Sequence, residues 1–260
     1  MTDRPRNTGL RRGLRLILLL QIAIAGMMLV IDIPAQLPPG LFDRERLPTG
    51  PISPGDQTRR YDPQRSPSDF MDRTSPADIA LPDQFADRLQ FELRETEGMG
   101  NLLLLTGAIA PGDADRMAEE LDSLIEPPDG IALHSPGGTV SEARAIGRII
   151  RDRGFPTLVL AGASCMSSCP YVFAAGAERT ASRQGAIGMH QHYYDQSRFI
   201  PAVFAVSDIQ RGQGETLEYL IDMGIDPAVM IYSLKTPPER IYVLVEDELL
   251  ETGLATNVID

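Results

Sequence analysis

The chain has 260 residues, with 24 Lys or Arg against 36 Asp or Glu and a formal net charge of −12. That excess of acid excludes nucleic acid as a partner, since such binding rests on basic side chains neutralising phosphates, and Lys235 is the only lysine. Two cysteines, Cys165 and Cys169, can build neither a disulfide framework nor a complete structural zinc site.

The charge is unevenly spread. Residues 1–33 carry Arg4, Arg6, Arg11, Arg12 and Arg15 against Asp3 and Asp32, a net of +3 that leaves −15 on the remainder. Leu16 to Ile31 is apolar apart from Gln21. With its flanks, and with Arg15 snorkelling, residues 14–34 reach the length of about 20 that a membrane span needs. The positive-inside rule reads residues 1–13 as a cytoplasmic basic tail and everything after the span as extracytoplasmic. A cleaved signal peptide has the same charge order, but Ile31-Asp32-Ile33-Pro34-Ala35 is a poor cleavage site. The expectation is therefore an uncleaved, single-pass signal anchor in the inner membrane, with a periplasmic body. Residues 35–82, rich in Pro, Gly, Ser, Asp and Arg, bury too little apolar surface to order themselves and read as a disordered tether.

From residue 83 to 260 the pattern is that of one folded domain. Leu89-Gln90-Phe91-Glu92-Leu93 alternates like an edge strand, and Asn101 to Leu105 is a continuous apolar run suited to a strand buried on both faces. Asp113 to Leu124 has helical period with Asp113 as N-cap. Ile131 to Leu133 is a strand. Val140 to Arg153 is a helix with Ala143, Ile146, Ile149 and Ile150 on one face, Thr157 to Leu160 the next strand, and Met166 to Ala175 the next helix. Alternating strands and crossover helices imply an α/β fold with a mainly parallel sheet.

Three pieces carry chemistry. Ser135-Pro136-Gly137-Gly138-Thr139-Val140 joins a strand end to a helix start, where paired glycines leave backbone N–H groups uncovered. Ala163-Ser164-Cys165-Met166-Ser167-Ser168-Cys169 is a run of mostly small residues that places a serine at a helix start, either as a cap or where amides favour a developing anion. Ile187-Gly188-Met189-His190-Gln191 puts a histidine just past a short apolar strand. Cys165 and Cys169 flank Ser167, and both a local disulfide and a pair of packed thiols are open to them.

In these three motifs the stretch 101–191 resembles the core of the Clp-type serine peptidases of the crotonase superfamily, with 236–258 matching loosely. The resemblance implies repeated β-β-α units and a serine peptidase that acts on peptide or protein substrates without a cofactor. Ser-Pro-Gly-Gly is that family's oxyanion-hole motif. A glycine follows its nucleophile by nine residues, which selects Ser167 from the position of Gly176, and Gly138 lies 29 residues before Ser167, as the family spacing implies. The resemblance makes His190 the general base, with the amides of Gly138 and Ser168 holding the oxyanion. An ordinary histidine base would switch on with rising pH near 6.5. The third member departs from the pattern: twelve before Gly253 stands Ile241, and Glu239 takes the orienting place only if two residues are inserted.

Other readings compete with this one. Gly185-Ala186-Ile187-Gly188 resembles a segment of the signal-peptide peptidases, whose Ser–Lys dyad would make Lys235 the alternative base. Crotonase-like acyl-CoA chemistry shares the fold but not a nucleophilic serine. A non-catalytic Clp-like binding protein is the third class. His192 lies two beyond His190, yet no further ligands complete a metal site by spacing, and no metal is expected. His134 reads as a packed strand-end residue. The family's rings imply a homo-oligomer, for which the apolar face from Phe199 to Ile221 would serve unless it covers the sheet.

Overall fold

The computed structural model describes residues 8–36, 54–63, 81–82, 84–96, 98–192 and 202–260. The chain forms two compact units, Met1–Arg46 and Leu47–Asp260. The first holds one helix, α1 (Thr8–Gln36), of 29 residues. The side chains described on it are those of residues 12–28, and they include exposed Leu14, Leu16, Ile17, Leu18, Leu19, Leu20, Ile22, Ile24, Met27 and Met28. Among the described residues no helix is long and apolar enough to cross a membrane.

The second unit is an α/β fold with two mixed sheets. The larger has the order β10-β7-β5-β4-β3-β2, formed by β2 (Gln90–Thr96), β3 (Gly100–Thr106), β4 (Gly130–His134), β5 (Thr157–Val159), β7 (Arg179–Ser182) and β10 (Asn257–Ile259). All of its pairs are parallel except β2 with β3. Leu102, Leu103, Leu104 and Leu105 of β3 are all buried, as a run apolar on both faces requires, whereas β2 keeps most of its side chains in solvent at the sheet edge. The smaller sheet has the order β1-β9-β8-β6, formed by β1 (Thr58–Arg60), β6 (Ser164–Met166), β8 (Ala186–Met189) and β9 (Arg240–Val243). There β6 and β8 are parallel, while β9 runs antiparallel to both β8 and β1.

Helices α2 (Asp113–Ser123), α3 (Val140–Arg153) and α4 (Cys169–Ala174) bury apolar faces in the main core. On α3 that face is Ala143, Ile146 and Ile150, and Gly154 ends the helix in the left-handed region at φ 72°. Gly147 of α3 lies against Tyr219 of α5 (Ala202–Asp222), whose hydroxyl donates to Tyr171 O at 2.7 Å. On α5, Thr216, Tyr219 and Leu220 are buried while Val206 and Ile221 are exposed, so part of the expected assembly face covers the core; residues 193–201 lie outside the described residues.

Three expectations need correction. Gly112, not Asp113, occupies the N-cap of α2. Asp113 is instead fully buried, accepting from Ala110 N–H at 2.8 Å and Leu89 N–H at 3.2 Å and pairing with Arg88 and Arg116 at 2.8 and 2.7 Å. Burial alone would raise its pKa, but these donors hold it below the ordinary carboxylate value. Met166 belongs to a strand and α4 starts only at Cys169, because Cys165 pairs with Ile187 of β8 and bridges to Ser135, which holds the segment extended. Finally, the expected tether is not free chain throughout. Residues 54–63 include β1, in register Thr58↔Tyr242, Arg59↔Ile241 and Arg60↔Arg240 with β9. Residues 37–53 and 64–80 lie outside the described residues.

Candidate active site

The site forms where the ends of β4, β6 and β8 meet. Ser135 N donates to Ser164 O and Met166 N to Ser135 O, so the Gly-Gly loop and the segment that leads to Ser167 are stitched together. Ser167 then turns the chain from β6 toward α4 at φ 63°, the only positive φ of a non-glycine among the described residues. A backbone conformation this sparsely populated costs of order 1–3 kcal/mol and persists only where its surroundings over-determine it. Here Ser167 N donates to Gly188 O at 2.9 Å, and a disulfide joins Cys165 to Cys169 across the turn with Cα atoms 5.1 Å apart.

The two loop glycines are required by close approach. A Cβ on Gly137 would lie 2.5 Å from Met166 O, and one on Gly138 would lie 2.2 Å from Ile109 O; both residues have positive φ, 87° and 151°. With no side chain in the way, the loop lies directly against Ser167.

His190 follows the end of β8, buried to 6 % exposure, with its Nε2 2.7 Å from Ser167 Oγ. Ser233 of α6 (Met230–Lys235) donates to the His190 carbonyl at 2.7 Å and fixes the loop that carries the ring. Burial first, and the neighbouring His192 second, push the His190 pKa down to about 4. Burial thus favours the neutral imidazole. Among the described residues, Nδ1 of His190 finds no hydrogen-bond partner. Glu239 is exposed, and its backbone carbonyl accepts from Tyr61 N at 3.0 Å. Lys235, at the last position of α6, is exposed too.

Gly138 N–H, one of the two expected oxyanion donors, is taken by Ser168 Oγ at 2.8 Å. The hydroxyl of Ser168 thus occupies this amide of the Gly-Gly loop.

A cleft of about 1130 Å³ opens onto Ser167 and His190; Gly137, Gly138, Tyr61, Arg144 and His192 also line it, whereas Glu239 and Lys235 do not. His192 lies beyond the end of β8, not on a strand face with His190, and its Nε2 is 2.8 Å from the Tyr171 hydroxyl. Among the described residues no three metal-ligating side chains converge. His134 is packed at the end of β4, its Nδ1 accepting Ser164 N–H at 3.1 Å.

Tyr61 and Arg144 were missed by sequence reasoning. Arg144 is paired with Glu215 at 2.7 Å on the cleft wall. Tyr61 extends β1, and its only sequence signal was the proline-free stretch between Pro54 and Pro63, with a β-branched residue and an aromatic in it.

No protein-family model and no curated protein matches the chain. Among solved structures, it is similar to a ClpP1 point mutant from Listeria monocytogenes, at 16 % identity and a TM-score of 0.48, over 61 % of this chain and 91 % of that one. At that level of likeness the functional reading stands on the geometry of the site.

Proposed function

We propose that this chain is a serine peptidase of Clp-like type, with Ser167 as nucleophile and His190 as its base. The observation that carries the reading is the 2.7 Å contact between Ser167 Oγ and His190 Nε2 at a strained turn beside the Gly-Gly loop. For Ser167 to donate to Nε2, the imidazole hydrogen must sit on Nδ1. As Oγ bonds to the substrate carbonyl carbon, its proton passes to Nε2, and the imidazolium then returns it to the leaving amine. Water hydrolyses the acyl-serine by the same relay. The oxyanion is received by Ser168 N–H and by Gly138 N–H, once rotation of the Ser168 side chain releases the latter.

Among the described residues no carboxylate completes the pair, which we take to work as a dyad. A buried imidazolium without a carboxylate is poorly stabilised, so turnover should fall well below that of a complete triad. We further propose that α1 anchors the chain in the inner membrane with the second unit on the periplasmic side. The support is the row of exposed Leu, Ile and Met on α1, with arginines ahead of it, since leaving such surface in water forfeits about 25 cal/mol per Å².

One observation favours a second reading, a peptide-binding protein without catalysis: the Gly138 amide is occupied and His190 Nδ1 is unpartnered among the described residues. Reaction with a fluorophosphonate probe separates the two. The full chain should label at Ser167, and Ser167→Ala and His190→Ala should reduce labelling to background, by about 10³-fold for loss of the base. Equal absence of labelling in the wild type and Ser167→Ala would establish the binding role instead.

A further inference from the structure

Among the described residues, His190 lacks what usually orients a catalytic imidazole. Among the described residues nothing bonds its Nδ1, yet the ring is buried and aimed at Ser167. A ring held only at Nε2 is free to swing about that bond and lose its alignment, so something else must fix its plane.

The neighbour in position to do so comes from the opposite end of the domain. Tyr61 directly follows β1, whose central residue Arg59 is buried. The ladder continues past Arg60, with Tyr61 N donating to Glu239 O. This delivers the Tyr61 ring to 4.9 Å from the His190 ring, inclined at 47°. The Tyr61 hydroxyl donates to Pro136 O, the carbonyl that opens the Gly-Gly loop. One side chain therefore touches both the imidazole and the loop that lies against Ser167. Ser167 still lines the open cleft with Tyr61 in place, so Tyr61 does not seal the nucleophile.

We infer that Tyr61 is a positioning residue for the Ser167–His190 pair: its ring holds the imidazole plane that no described carboxylate holds. The inference rests on the dyad reading above. Burial raises the Tyr61 pKa well above its ordinary value, so the phenol stays protonated and acts as a donor, not as a base. The titratable and charged groups around the imidazole are His192 on its own loop, Tyr61 and its neighbour Asp62, and Arg144 and Asp87 on the cleft wall.

The test compares fluorophosphonate labelling rates of the full chain as wild type, Tyr61→Phe and Tyr61→Ala, each across pH, with Ser167→Ala and His190→Ala as controls. Tyr61→Ala should label at least tenfold more slowly, and its acid limb should move from about 4 toward 6.5 as water reaches His190. Tyr61→Phe keeps the ring and should stay within about threefold of wild type with an unmoved limb. Should Tyr61→Ala unfold, Tyr61→Leu replaces it, with the same loss of rate expected from an aliphatic chain that offers no flat face. The inference is overturned if Tyr61→Ala labels as fast as wild type or faster, which would make β1 a cover. It is equally overturned if Tyr61→Phe is as slow as Tyr61→Ala, or if the rate falls while the limb stays fixed. If His190→Ala labels like wild type, the dyad reading itself has failed; if only the Tyr61 variants are neutral, the dyad stands and this inference alone is lost.

Discussion

Acid should unfold this protein through its histidines. The chain has three, and burial is the largest cause pushing each of His134, His190 and His192 down to about 4. His134 shows the reason at atomic scale. Its Nδ1 accepts Ser164 N–H while Nε2 faces Pro82 O at 3.4 Å, so a second proton would set donor against donor. In the unfolded chain each ring binds its proton near 6.5. Between 6.5 and 4 the unfolded state holds more protons, so stability falls as pH falls. At pH 5 the loss is about 2 kcal/mol per histidine and about 6 kcal/mol for three, against a typical total of about 5–15 kcal/mol. Carboxylates such as Asp113 act in a lower window, because a depressed acid withdraws its stabilisation only as pH drops below its unfolded value of 3.8. Urea titrations at pH 7, 6 and 5 give the stability change directly. Imidazole carbon–proton spectra of the native protein should show three signals that do not titrate through pH 6–7. Native-state midpoints near 6.5, with a urea midpoint constant down to pH 5, would refute the reasoning.

Gly147→Ala should destabilise the domain by about 1–3 kcal/mol, read as a lower urea midpoint, because a Cβ there would lie 1.8 Å from the buried Tyr219 hydroxyl. Replacing Cys165 and Cys169 together by alanine should cost about 2 kcal/mol for so short a loop and slow Ser167 labelling by loosening its turn; unchanged stability and rate would reduce the disulfide to a packing feature. Ser168→Ala removes the acceptor that occupies Gly138 N–H, so labelling should accelerate by about two- to tenfold, the worth of one hydrogen bond. A slower reaction would mean that the hydroxyl is needed to hold the loop.

Much of the fold was legible because its signals are local. Four consecutive leucines, the helical period of Val140 to Arg153 and a glycine just past that helix each constrain the chain within a few residues. The Gly-Gly loop, Ser167 and His190 could be ordered along alternating elements for the same reason. What remained hidden depends on distant pairing. The start of α4 is set by β6 lying beside β8, and no periodicity within residues 164–169 reports that. Asp113 looks like a cap until its two arginines and the Leu89 amide are seen around it. A three-residue strand is too short to display alternation, so β1 reads as more of the proline-rich segment. The side chain of Glu239 follows from the register of β9, which leaves it in solvent.

The pairing of β1 with β9 also sets a schedule. Thr58 and Tyr242 are partners separated by more than 180 residues, and a ribosome adds about 5–20 residues per second. For roughly ten seconds or longer the nascent chain carries Tyr61 with nothing to dock it on, and the Gly-Gly loop, Ser167 and His190 emerge in that interval. Closing so long a loop is slow, because its entropy is lost before any contact compensates. The Tyr61 contact with His190 is thus made only after β9 has been synthesised, and until then Ser167 and His190 stand without that ring beside them.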